Sequence, residues 1–144
     1  MLKSVVLHFI LLTFMAFASG YDSVLTDIRN QCNETFPISD EYDVRLLNFG
    51  SFPDESDKTP MCFIHCFMDK GGMIDTDGTF QQKILVEKLQ GFPNDTIIPD
   101  LGEIMDHCVT RNGEQADLCE RAYNFAKCLI IEEIQRHEET GKEE

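Results

Sequence analysis

Apolar residues recur at three- and four-residue intervals along most of the chain, and no stretch shows convincing strand alternation. The pattern predicts about six helices. Val24, Leu25, Ile28 and Cys32 mark the first, with Ser23 placed to cap it and Pro37 breaking the segment. Ser39 opens a short second helix, Asp40 to Asn48, carrying Tyr42, Val44, Leu46 and Leu47, and Gly50 ends it. A polar loop with Pro53 and three acids follows, from Ser51 to Lys58. The third helix runs from Pro60 to about Lys70, with Thr59 as its cap, Pro60 at its first position and Gly71-Gly72 at its end. Thr79 or Phe80 begins a fourth, to about Gln90, with Ile84, Leu85, Val86 and Leu89 inward. Gly91, Pro93 and Pro99 bracket a loop. A fifth helix runs from about Pro99 to Thr110, stopped by Asn112-Gly113. The sixth runs from about Glu114 to Ile131 or beyond, with Leu118, Cys119, Ala122, Phe125, Ala126, Leu129 and Ile130 along it. The expected class is all-α, without repeats.

The N-terminal pattern is different. Lys3 precedes an apolar run from Val5 to Phe17, broken only by His8 and Thr13, and Ala18-Ser19-Gly20 is a small-x-small cleavage site. Residues 1–20 are therefore expected to be a secretory signal peptide, leaving Tyr21 as the new N-terminus. The run is shorter than the ~20 residues a spanning helix needs. The expected product is secreted and extracellular, one helical domain over residues 21–130 with an acidic tail over 131–144. About 124 residues suit a single domain.

Charge narrows the partners. The chain carries 26 acidic and 12 basic residues, a formal net charge of −14. Nucleic acid and anionic membrane surfaces both call for a basic face, so neither is an expected partner, and no stable membrane insertion is expected.

Six cysteines in an exported chain suggest three disulfides. Cys62 and Cys66 leave the same face of one helix a turn apart, poorly placed to bond each other and well placed to hold two other segments. Cys119 and Cys128 lie about 13.5 Å apart along a helix, beyond disulfide reach. Those exclusions leave ten of the fifteen possible connectivities open.

The spacing Cys32-x29-Cys62-x3-Cys66-x41-Cys108-x10-Cys119-x8-Cys128 resembles that of the insect odorant-binding protein family, the pheromone- and general-odorant-binding group. The x3 and x8 gaps are its most specific marks. Asp77-Gly78 and Cys119-Glu120-Arg121-Ala122-Tyr123 are also similar to it, and the likeness covers nearly all of residues 21–144. The resemblance implies the pairing Cys32–Cys66, Cys62–Cys119 and Cys108–Cys128. It also implies a carrier of odorants or pheromones rather than an enzyme, with no cofactor. The partners expected are a small hydrophobic molecule, and a chemosensory receptor or a second copy of the chain.

A hollow interior gives one physical reason for such bracing. A helical domain of this size ordinarily stabilises itself by filling its core. Walls around a cavity lose dispersion contacts, and cross-links offset that loss. Reversible capture of an apolar molecule then follows from burial, at roughly 25 cal/mol per Å². The wall residues expected from helices three, four and six are Ile64, Met68, Met73, Phe80, Val86, Leu89, Phe92, Ala122, Phe125 and Leu129. Of these, Ile64, Met68, Phe80 and Leu129 match positions that commonly line the pocket in the family resembled. Ile64, Met68 and Met73 offer no hydroxyl from the central helix, which favours an apolar ligand. Each of the ten residues has ordinary packing as its bland alternative.

Other chemistry-bearing residues find plainer roles. His65 and His107 adjoin cysteines, but three disulfides leave no thiolate for zinc or for a nucleophile, so no metal or catalytic site is expected. Asp75-Thr76-Asp77-Gly78 suggests a calcium loop until Met73 and Ile84 fall at its first and twelfth positions, where neither ligates; a polar turn is the better reading. Tyr42, Tyr123 and His107 are candidate polar anchors, with structural or exposed roles the simpler expectation. Asn33-Glu34-Thr35 and Asn94-Asp95-Thr96 are glycosylation sequons. The first lies against a cysteine on a helix that must dock, which argues against its use.

The tail carries six acids beside a thin stripe of Leu129, Ile130 and Ile134. It is expected to continue the sixth helix and then fray, either as a solvated tail or as a charged lid whose docking eases as its carboxylates neutralise. A secreted non-olfactory interaction or lipid-scavenging protein on the same scaffold (seminal, salivary or haemolymph) is the alternative to an odorant carrier. An open apolar cavity discriminates a carrier from an interaction protein.

Overall fold

A computed structural model describes residues 21–90 and 100–141. The expected signal peptide, the loop carrying Phe92 and Asn94, the side chain of Leu89 and the last three residues lie outside this description. Six helices occur among the described residues: α1 Tyr21–Thr35, α2 Asp40–Phe49, α3 Lys58–Lys70, α4 Gln82–Gln90, α5 Leu101–Asn112 and α6 Leu118–Gly141.

Local signals set several of the ends. Ser39 accepts from the Tyr42 N–H at 3.4 Å at the start of α2. Gly50 closes it at φ 75, its N–H donating to the Leu46 carbonyl at 2.8 Å. A Cβ at Gly50 would sit 2.6 Å from Cγ1 of Ile131, so this turn is pressed against α6.

Elsewhere the ends differ from expectation. Ser23 lies inside α1, which already includes Tyr21, rather than before its first turn. The cap of α3 is Asp57 rather than Thr59, its carboxylate accepting from the Thr59 N–H at 3.1 Å. Pro60 therefore occupies the third helical position, where an N–H would still have no intrahelical acceptor. Helix α4 starts at Gln82 because Phe80 is held in an antiparallel bridge with Ile74. Around that bridge the Gln81 N–H donates to Met73 at 2.9 Å and the Asp75 N–H to Thr79 at 3.0 Å. Residues after α5 turn before α6 begins at Leu118, where Asp117 accepts from the Glu120 N–H at 2.9 Å. Past residue 130 the helix does not break, so residues 131–141 are its C-terminal part.

Three disulfides tie these helices, Cys32–Cys66, Cys62–Cys119 and Cys108–Cys128, and no cysteine is free. They join α1 to α3, α3 to α6 and α5 to α6. Helix α6 is the common partner: α3, α5 and α2 all pack along it, while α1 rests on α3 and α4 on α5.

The polar turn at 75–78 has the role its sequence suggests. The Asp75 carboxylate accepts from the N–H groups of Asp77 and Thr79, both at 2.9 Å. Arg121 on α6 then reaches the Gly78 carbonyl at 3.1 Å and the Gln115 carbonyl at 2.8 Å, fixing the turn against α6.

Candidate ligand-binding site

The larger apolar cluster joins α3, the 71–81 connection, α4, α5 and α6. Its buried members include Met68, Phe80, Ala122 and Phe125, with Ile64, Met73, Val86 and Leu129 half-buried against them. These are all eight of the predicted wall residues whose side chains are described. Leu89 and Phe92, the other two, lie outside. Phe80 and Phe125 stack with centroids 4.3 Å apart, an aromatic contact that joins the 71–81 connection to α6.

One placement differs from the sequence reading. Met73 is not on the central helix, which stops at Lys70. It lies in the connection, its N–H donating to the Met68 carbonyl at 2.8 Å. Only Ile64 and Met68 face the cluster from α3.

Sequence reasoning missed the contribution of α5. Leu101, Ile104, Met105 and Cys108 are all buried in the cluster. Their spacing of three, four and seven is a strict one-face helical stripe, so the signal was present. Ile74, at the antiparallel bridge, carried no such signal.

A smaller cluster, Leu46, Phe52, Met61 and Tyr123, lies between α2, the 51–57 loop, α3 and α6, and Ile64 touches both clusters. Two of the three candidate polar anchors belong here. Tyr42 packs at its edge. The Tyr123 hydroxyl accepts from the Phe52 N–H at 3.0 Å and donates to Glu55 at 2.9 Å. Burial pushes this phenol up to about 12. Glu55 is held below the usual carboxylate range, first by its hydrogen bond from Lys127. The third candidate, His107, has its side chain 53% exposed and faces Glu132 at 3.7 Å. None of the three is among the side chains of the larger cluster.

A separate cleft of about 340 Å³ opens between α5 and α6, lined by Arg111, Asn112, Asn124, Lys127 and Glu132 beside Cys128 and Ile131. Its polar lining does not suit an apolar guest. Among the described residues no group of three or more His, Cys, Asp or Glu is placed to hold a metal ion.

The three bridges, the six helices and the apolar cluster between them can be compared with known proteins. The profile of the PBP/GOBP family matches residues 21–132. The chain belongs to this family. General odorant-binding protein 84a of Drosophila melanogaster is 28% identical over 105 residues, covering 72% of this chain and 55% of that protein. General odorant-binding protein 57c of the same species is 31% identical over 91 residues, covering 62% and 57%. The PBP/GOBP chain described here thus spans just over half the length of these two relatives. A crystal structure of a medfly odorant-binding protein matches at a TM-score of 0.50 and 27% identity, covering 74% of this chain and 84% of that one. The fold is the all-α, disulfide-braced fold of an odorant-binding protein. Among the described residues no helix is long and apolar enough to cross a membrane.

Proposed function

We propose that this PBP/GOBP member is an exported carrier. It reversibly binds small hydrophobic molecules, odorants or pheromones, in an apolar space bounded by α3, α4, α5 and α6, and takes them through aqueous fluid. The observation that carries the reading is the convergence of Ile64, Met68, Met73, Phe80, Val86, Ala122, Phe125 and Leu129 in one cluster. Half of them retain accessible surface rather than being sealed. A guest covering about 200 Å² of apolar surface there gains roughly 5 kcal/mol before ordering costs. The disulfides hold the shell while the guest exchanges, and no thiolate is left for nucleophilic chemistry.

The test is displacement of a fluorescent apolar probe by a panel of volatiles and lipids, near pH 5 and pH 7. Uptake of the probe and its displacement by apolar compounds are expected. Leu129→Trp, which adds bulk to the proposed wall, should weaken the probe at least tenfold while Val44→Lys on α2 leaves it unchanged. Failure of the chain to take up any apolar guest would refute the carrier reading and favour a secreted interaction protein. Specific observations favour that second reading: Val44, Leu47 and Phe49 of α2 are 53%, 68% and 64% exposed.

Residues 131–141 are proposed as part of the shell. Ile131 lies against Gly50, and Arg136 donates to Asp100 at 2.7 Å. Ending the chain after Ile130 should change the pH dependence of probe affinity; an unchanged profile refutes a role for the tail.

A further inference from the structure

We infer that Asn33 is an N-glycosylation site. The inference rests on the export proposed above, because the modification belongs to the secretory route. The sequon Asn33-Glu34-Thr35 occupies the last turn of α1. The sequence argues against it, since the neighbouring Cys32 has to dock. In the structure that objection fails. Cys32 is 0% exposed and bonded to Cys66, but successive residues on a helix point about 100° apart. Asn33, Glu34 and Thr35 are all exposed on the outer side.

The hydrogen bonding of Asn33 fits the modified side chain. Its Oδ1 accepts from the Ile38 N–H at 3.0 Å, closing the chain where it leaves α1. Glycosylation takes place on the other atom. A bond forms between Nδ2 and C1 of the first sugar of a lipid-diphosphate-linked oligosaccharide. The C1–O bond breaks, the diphosphate leaves with the electron pair, and one Nδ2 proton passes to the transferring enzyme's base. Oδ1 stays a carbonyl acceptor throughout, so the native hydrogen bond to Ile38 and the glycan coexist.

The order of events also favours transfer. The acceptor must be extended, and the competing event is capture of Cys32 by Cys66. Their separation is 34 residues. At the usual elongation rate of about 5–20 residues per second, Cys66 follows Cys32 by roughly 2–7 s. During that interval no disulfide to Cys66 can fold the sequon away. Pro37 lies beyond the sequon and does not block it.

The experiment expresses the full chain with its own leader in cultured insect cells. Protein from the medium is reduced and alkylated, and the peptide containing Asn33 is mapped by mass spectrometry before and after treatment with a peptide N-glycosidase. The expected result is a mature N-terminus at Tyr21 and a glycan on most copies of Asn33. Thr35→Ala should abolish it, and Asn33→Asp should abolish it while keeping the acceptor for Ile38. Secreted chain with Asn33 bare overturns the inference and leaves the export reading intact. Chain retained in the cytosol with its leader attached overturns both.

Discussion

Replacing Tyr123 by phenylalanine removes one oxygen and two hydrogen bonds and little else. The ring is 1% exposed and stacks on Phe52 at 4.5 Å, a contact phenylalanine keeps. What goes is the acceptor for the Phe52 N–H at 3.0 Å and the donor to Glu55 at 2.9 Å. Glu55 keeps Lys127 and has a side chain 45% exposed, so its loss is small. The Phe52 N–H is left buried without a partner, a cost of about 1–3 kcal/mol. A loss of about 2 kcal/mol is expected, which with a urea slope of about 2 kcal/mol/M moves the midpoint down by about 1 M. Amide exchange at Phe52 should speed up by about 30-fold if the 51–57 loop opens locally. Alkaline behaviour should change as well. The native phenol is held up to about 12, above its ordinary value of 10. Between these values the unfolded chain loses this proton first, so stability is full below pH 10 and falls as pH rises towards 12. Tyr123→Phe should remove that part of the alkaline loss. Apolar-probe affinity should stay the same, because the hydroxyl serves the loop rather than the larger cluster. An unchanged urea midpoint, or a tenfold loss of probe affinity, would refute the assignment.

Other substitutions probe the frame and the wall. Lys127→Ala removes the main cause of the lowered Glu55 pKa. The stability that Glu55 contributes above about pH 4.5, and loses as pH falls through its lower native value, should shrink in an acid titration followed by circular dichroism. Replacing Cys108 and Cys128 together by alanine opens a loop of 20 residues; a loss of about 3 kcal/mol is expected in urea unfolding. Phe125→Ala deletes a ring stacked on Phe80 inside the large cluster and should cost about 3–5 kcal/mol by the same measurement. Gly78→Ala forces a side chain into φ 78 with its Cβ 2.5 Å from Leu118 Cδ2. A loss of at least 1–2 kcal/mol is expected, roughly, from the backbone alone, with a matching drop in thermal midpoint.

The chain's local instructions were legible at several helix ends, where one residue acts on its near neighbours. Ser39 and Gly50 bound α2 because a hydroxyl and an αL glycine act within one turn. Helical spacing placed Met68, Ala122 and Phe125 on inward faces, since periodicity and burial are coupled in any amphipathic helix. Even the stripe Leu101, Ile104, Met105 and Cys108 was present, though it was not assigned to the wall. Cysteine spacing alone left ten pairings, and only resemblance to a family and then the packing of α1, α5 and α6 reduced them to one.

Tertiary structure decided what depends on residues far apart in sequence. The start of α4 was set by Phe80 bridging Ile74. Tyr123 reads as a candidate polar anchor without a named partner until Phe52 and Glu55, about 70 residues earlier, meet its hydroxyl. Asn33 looked hidden beside its docking cysteine until packing set which face of α1 rests on α3 and left Asn33 exposed. Sequence by itself determined the helices, the apolar faces and the number of cross-links, because those follow from short-range sterics and solvent preference. Which faces meet, and which polar groups are consumed in meeting, was decided only by packing, because those contacts form between segments that have no local information about each other.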